Sequence, residues 1–160
     1  MKVRVPTFQL LASLAFLMWM SVLVFAQGSA KAALAGTWIL NVSKSRIEDH
    51  RNFGPQTSDT LVITCSGKTV RFDDTLDGKK QQPWIYITDG KEHLFAELPG
   101  GDEISKAKWK ESTLVTRLIG RRTRPPFDFT DTWTVSTDGL TLTQDSTGRI
   151  KQTFVYDRQQ

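Results

Sequence analysis

Chemically versatile side chains are scarce in this chain. One cysteine among 160 residues excludes an internal disulfide framework and any multi-cysteine zinc site. The two histidines, His50 and His93, are too few for a histidine-rich metal centre and have no metal-ligand spacing. They also give no pattern for a haem ligand. No Gly-x-Ser-x-Gly elbow marks a nucleophile. Gly100-Gly101 lacks the strand-to-helix setting of a phosphate loop. Asp73 and Asp74 are adjacent on a predicted strand, so they point to opposite faces and form no dyad with each other. These absences leave catalysis, a metal and a cofactor without support, and the chain is expected not to be an enzyme. The bulk composition, 39% hydrophobic and 24% charged, is globular and excludes disorder, collagen and a pure coiled coil.

Long apolar runs are also missing, with one exception. Lys2 and Arg4 precede a run from Leu10 to Phe25, the build of a secretory signal. Those 16 residues fall short of the ~20 that span a bilayer comfortably, so cleavage is expected rather than a retained anchor. The expected signal covers residues 1–26, with Val24-Phe25-Ala26 before the cut. A second cut lies after Ala30-Lys31-Ala32, leaving a domain over 33–160. The mature protein is then secreted or periplasmic, and touches membrane only through an uncleaved signal. Cleavage after Ala26 removes two of 21 cations against 17 anions, leaving a formal charge of +2. Nucleic acid therefore has little support as a partner. Asn41-Val42-Ser43 is a glycosylation sequon, relevant only on a eukaryotic secretory route. Cys65 shares parity with Leu61 and Ile63 and reads as a small buried hydrophobe. The sharper reading is a reactive thiol or an intermolecular disulfide.

What is abundant is β-forming sequence between turn dipeptides. Ser66-Gly67, Asp77-Gly78, Asp89-Gly90 and Gly100-Gly101 follow one another at 11 to 12 residue steps, the spacing of consecutive hairpins. Asp138-Gly139 and Thr147-Gly148 come later. Ten strands are predicted, over 36–42, 59–65, 68–75, 81–88, 92–98, 104–110, 113–119, 127–136, 139–145 and 150–157. A helix fits only 43–57, with Ser43 or Ser45 as its cap and Gly54-Pro55 as its end. No linker, repeat or low-complexity stretch divides the chain.

Alternation gives each strand one wet face. Phe127, Phe129, Trp133 and Val135 share a side against Asp128, Thr130, Thr132 and Thr134. Ala107 and Trp109 oppose Lys106, Lys108 and Lys110. Leu140 and Leu142 oppose Thr141 and Thr143. A sheet of this many strands closes into a barrel to remove its bare edges. The expected fold is all-β, a single antiparallel up-and-down barrel of eight to ten strands, wide enough for one small ligand or for a filling of side chains.

Gly36-Thr37-Trp38-Ile39-Leu40 resembles the Gly-x-Trp opening of lipocalins and fatty-acid-binding proteins. Leu61 to Lys68 looks like the second-strand hairpin of the fatty-acid-binding branch, and Thr153 to Arg158 like its last strand. The run Gly36 to Ser45 is similar to the start of small exported bacterial lipocalin-like proteins. The resemblance covers nearly the whole mature chain and implies a calycin barrel. It also implies that Trp38 plugs the closed end under Arg158. Tyr156 matches the last-strand tyrosine of fatty-acid-binding proteins, but Phe154 stands where their carboxylate-gripping arginine would be. Their two-helix lid does not fit within 43–57. Arg122 to Trp133 carries a fainter similarity to an avidin strand, with fewer strands following it than avidins have.

The candidate barrel lining is Trp84, Tyr86, Trp109, Arg117, Phe129, Trp133, Phe154 and Tyr156. Aromatics with a few polar tips suit an amphipathic ligand; equally, they can fill a barrel. Arg117 shares a face with Val115 and Ile119. If that face looks inward, its guanidinium is poised for a ligand carboxylate or phosphate; otherwise it faces solvent. Arg121, Arg122 and Arg124 form a basic loop tip, either solvated or a contact for an anion or partner. The leading expectation is a small hydrophobic or amphipathic ligand in the barrel. The alternative is a packed, ligand-free module of the cell envelope.

Overall fold

The computed structural model describes residues 29–47, 58–98, 101–121, 125–148 and 151–160. The expected signal peptide, His50, Arg122, Arg124 and most of the possible helix over 43–57 lie outside the described residues. The strands are β1 (Gly36–Leu40), β2 (Asp59–Ser66), β3 (Thr69–Leu76), β4 (Lys79–Lys80), β5 (Trp84–Ile87), β6 (Asp89–Leu98), β7 (Gly101–Lys110), β8 (Thr113–Arg121), β9 (Asp128–Val135), β10 (Thr141–Thr147) and β11 (Gln152–Arg158). A helical turn over 29–34 precedes β1.

All pairings are antiparallel, and the order is β4-β3-β2-β1-β11-β10-β9-β8-β7-β6, with β5 also on β3. The first strand meets the last: Trp38 faces Arg158, and Leu40 faces Tyr156. The fold is thus the expected all-β antiparallel barrel. Its circuit is not fully hydrogen-bonded, because no ladder joins β5 to β6.

Two departures produce that seam. The predicted strand over 81–88 is shortened to Trp84–Ile87, with Pro83 just before it; proline has no N–H to give a ladder. Asp89-Gly90 does not close a β5–β6 hairpin. Thr88 N donates to Lys68 O at 2.7 Å, which ties the end of β5 to β3. Asp89 Oδ1 accepts from Lys91 N at 2.8 Å, and Gly90 has φ +76°, so the chain turns away into β6. At Val42–Lys44 the described part of the possible helix is a 3₁₀ turn. Asn41 caps it, rather than Ser43 or Ser45, by accepting from Lys44 N at 3.2 Å.

Alternation places Trp38, Leu40, Leu61, Ile63, Val70, Phe72, Tyr86, Ala107, Leu114, Trp133, Leu142 and Tyr156 in one buried core. Burying each large aromatic contributes roughly 4–6 kcal/mol of transfer free energy before entropy is counted. Phe72 lies at the centre, 4.7 Å from Trp133 and 5.8 Å from Tyr86 between ring centroids.

Candidate ligand-binding site

One end of the barrel is sealed. Trp38 is fully buried, and its Nε1 donates to Leu34 O at 2.9 Å. The Arg158 guanidinium lies over that ring, 4.1 Å from its centroid. It donates to Gly139 O at 2.7 Å, to Ala35 O at 3.0 Å, and to Ala33 O. Arg158 thereby satisfies carbonyls at the end of the 29–34 turn, whose Ala30 and Leu34 are buried. Gly36 (φ +145°) is required beneath it, since a Cβ there would sit 2.5 Å from Arg158 Nη1.

The seam behaves differently. Between β5 and β6 lies an open cleft of about 850 Å³. Its apolar walls are Pro83, Trp84, Ile85, Ile87, Leu94 and Phe95, and its polar groups include His93, Glu97, Glu103 and Ser105. Ile85, Ile87 and Leu94 are exposed on its rim. The cleft's wall abuts the core: Ser105 is 3% exposed, and Phe95 stacks on buried Tyr86 at 5.5 Å. His93 Nε2 is 2.9 Å from Asp89 Oδ1, so its ring is oriented by a carboxylate.

Trp84 lines this cleft and also packs against Phe72 at 6.5 Å. Tyr86 and Trp133 sit deeper, joined to it through Phe72. Trp133 Nε1 donates to Thr116 Oγ1 at 3.2 Å. Trp109 packs against the core with its Nε1 buried and without a hydrogen-bond partner. Phe154 also packs there half-buried, while Phe129 stacks on Phe127 at 5.4 Å. Tyr156 is buried and donates to Asp59 Oδ2 at 2.9 Å.

Arg117 is a correction. It is exposed and paired with Asp128, Nε to Oδ1 at 2.8 Å and Nη2 to Oδ2 at 2.5 Å. The inward face of β8 is Leu114 and Thr116, which leaves Val115, Arg117 and Ile119 on the outer face. Both faces of β8 are aliphatic, so the pattern alone did not say which one turned in. Cys65 is half-buried, and burial raises its thiol pKa, the opposite of an activated nucleophile.

The sequence reading missed a set of inward acids. Asp59 and Asp74 are buried, on the same faces as Leu61 and Phe72. They belong to adjacent strands, where Leu61 faces Asp74, so they meet across the β2–β3 ladder. Burial, then the hydrogen bond and charge of Asp74, pushes the Asp59 carboxyl up to about 7. Asp131 lies between Phe129 and Trp133 on the inner face of β9, and burial raises its pKa too. The available signal was parity: each acid alternates with large apolar residues.

No protein-family model matches this sequence, and no curated protein matches it. Solved structures do share its architecture. A secretary abundant heat soluble protein from Ramazzottius varieornatus has a TM-score of 0.63 at 10% identity, covering 79% of this chain and 96% of that one. A Schistosoma mansoni fatty acid binding protein in complex with arachidonic acid gives 0.62 at 16% identity, covering 82% and 99%. The apo lipid binding protein 8 of Caenorhabditis elegans gives 0.61 at 13% identity, covering 80% and 96%. In fold, then, this chain is an antiparallel β-barrel like those of these solved structures.

Proposed function

We propose that this chain is an exported carrier that holds one small hydrophobic or amphipathic molecule in its barrel and performs no chemistry on it. The cleft at the β5–β6 seam carries the reading: about 850 Å³, walled by Trp84 and by Phe95, which stacks on buried Tyr86. Two of the similar solved structures are named for fatty acid or lipid binding, which supports an apolar ligand. The run Leu10–Phe25 supports export. Docking of 29–34 against Trp38 and Arg158 favours a cut after Ala26, because a cut after Ala32 would remove buried Ala30.

Native mass spectrometry of protein purified from its source tests the carrier reading. One apolar or amphipathic molecule per chain, displaceable by a lipophilic dye, is the expected result. A bare mass and no dye binding would overturn it. The second reading, a packed module acting through its surface, draws on the close contact of Phe72, Tyr86 and Trp133 in the interior. It predicts that bare result.

A further inference from the structure

The charge inside the barrel is of one sign. Asp59, Asp74 and Asp131 point inward from three strands, and Glu97 and Glu103 line the cleft. Arg158 is committed to the sealed end. Among the described residues the other half-buried cations are Lys31, which donates to Gly67 O at 2.8 Å from the 29–34 turn, and Arg71, which pairs with Asp73 on the outer face. The Tyr156 hydroxyl donates to Asp59 Oδ2 at 2.9 Å; beyond burial, the charges of Asp74 and Asp131 also raise its pKa, as those of Asp131 and Glu103 raise that of Tyr86.

Two of these acids also keep unmet capacity. Asp74 is 6% exposed; its carboxyl is hydrogen-bonded to Asp59, and its Oδ1 is left without a partner. Asp131 is held through Ser146 and Gln144, yet its Oδ1 is buried without a partner. A carboxylate oxygen kept from water without a donor is costly, and a cation with N–H groups relieves that cost. A second anion brought into the same space would add repulsion in a medium that screens weakly.

We propose that the barrel selects an amphipathic cation, with its apolar or aromatic body on Trp84, Tyr86 and Phe95 and an amine head directed to the inner carboxylates of Asp131 and Asp74. This rests on the carrier reading and names its ligand class. The site discriminates against carboxylate-headed lipids of the same length.

Displacement of the neutral dye Nile red from the exported protein at pH 8, by dodecylamine, dodecanol and dodecanoate, tests it. The amine is expected to displace at about tenfold lower concentration than the alcohol, and the carboxylate least well. Asp131→Asn and Asp74→Asn each shrink the amine's advantage and leave the alcohol unchanged. Should Asp74→Asn fail to fold, Asp131→Asn and Glu103→Gln carry the comparison. Nile red and dodecanol binding with no preference for the amine, or an amine advantage unchanged in the variants, overturns the cation assignment while the carrier reading stands. Binding of none of the four probes overturns both.

Discussion

The sealed end and the seam of this barrel are built from the same kinds of residue and do opposite things. At the sealed end a tryptophan is fully buried, its N–H is bonded, and an arginine stacked on it reaches three carbonyls. At the seam a tryptophan is half-buried, two strand edges face each other without a ladder, and three aliphatic side chains stand in solvent. The difference lies in satisfaction: every polar group named at the base has a partner, whereas the seam leaves backbone edges and apolar surface unmet. Unmet groups are where a ligand finds free energy.

That contrast breaks most visibly at the base. Trp38→Ala should destabilise the fold by about 3–5 kcal/mol, read as a drop in the denaturation midpoint, because it opens a cavity beneath Arg158. Starting the chain at residue 33 instead of 27 should lower the melting temperature by a smaller but clear margin, since Ala30 and its turn leave the floor. An unchanged melting temperature would separate the 29–34 turn from the domain. At the seam, Trp84→Ala should cost less stability than Trp38→Ala while abolishing dye binding. Equal losses of stability at the two sites would erase the distinction.

The interior acids sharpen the comparison through pH. The folded Asp59 carboxyl titrates near 7 against 3.8 for its ordinary value. Between those values the folded state binds more protons than the unfolded state, so stability falls as pH rises from about 4 to about 7. Asp59→Asn should flatten that fall, measured as melting temperature at pH 5 and pH 8. A slope unchanged in the variant would remove Asp59 as its source. The smallest expected effect is at Arg117. Its pair with Asp128 is exposed, so Arg117→Leu should leave both dye binding and melting temperature essentially where they were.

The base was legible through a resemblance, because the Gly-x-Trp opening and the last strand are distinctive although far apart in the chain. Gly36-Thr37-Trp38 and the final Arg158 carry it, and the β1–β11 register joins them. The β9 alternation of Phe129 and Trp133 was readable from the pattern itself. The seam was not, because Asp89-Gly90 has the same turn chemistry as Asp77-Gly78 and differs only in which strand claims the adjoining amides. The acids were passed over for a related reason. Asp73 and Asp74 do point to opposite faces, as adjacent strand residues must. The partner of Asp74 is Asp59, reached only across a ladder whose register the sequence does not state. Arg117 failed on a strand with aliphatic residues on both faces.

Amide hydrogen exchange of the ligand-free chain, followed by addition of a bound amphiphile, tests the two-ended account most directly. The account predicts slow exchange across β1 and β11 in both states. It predicts fast exchange at the edges of β5 and β6 that face each other, slowed when the amphiphile is added. Edges of β5 and β6 already as protected as β1 and β11, and indifferent to the ligand, would contradict it.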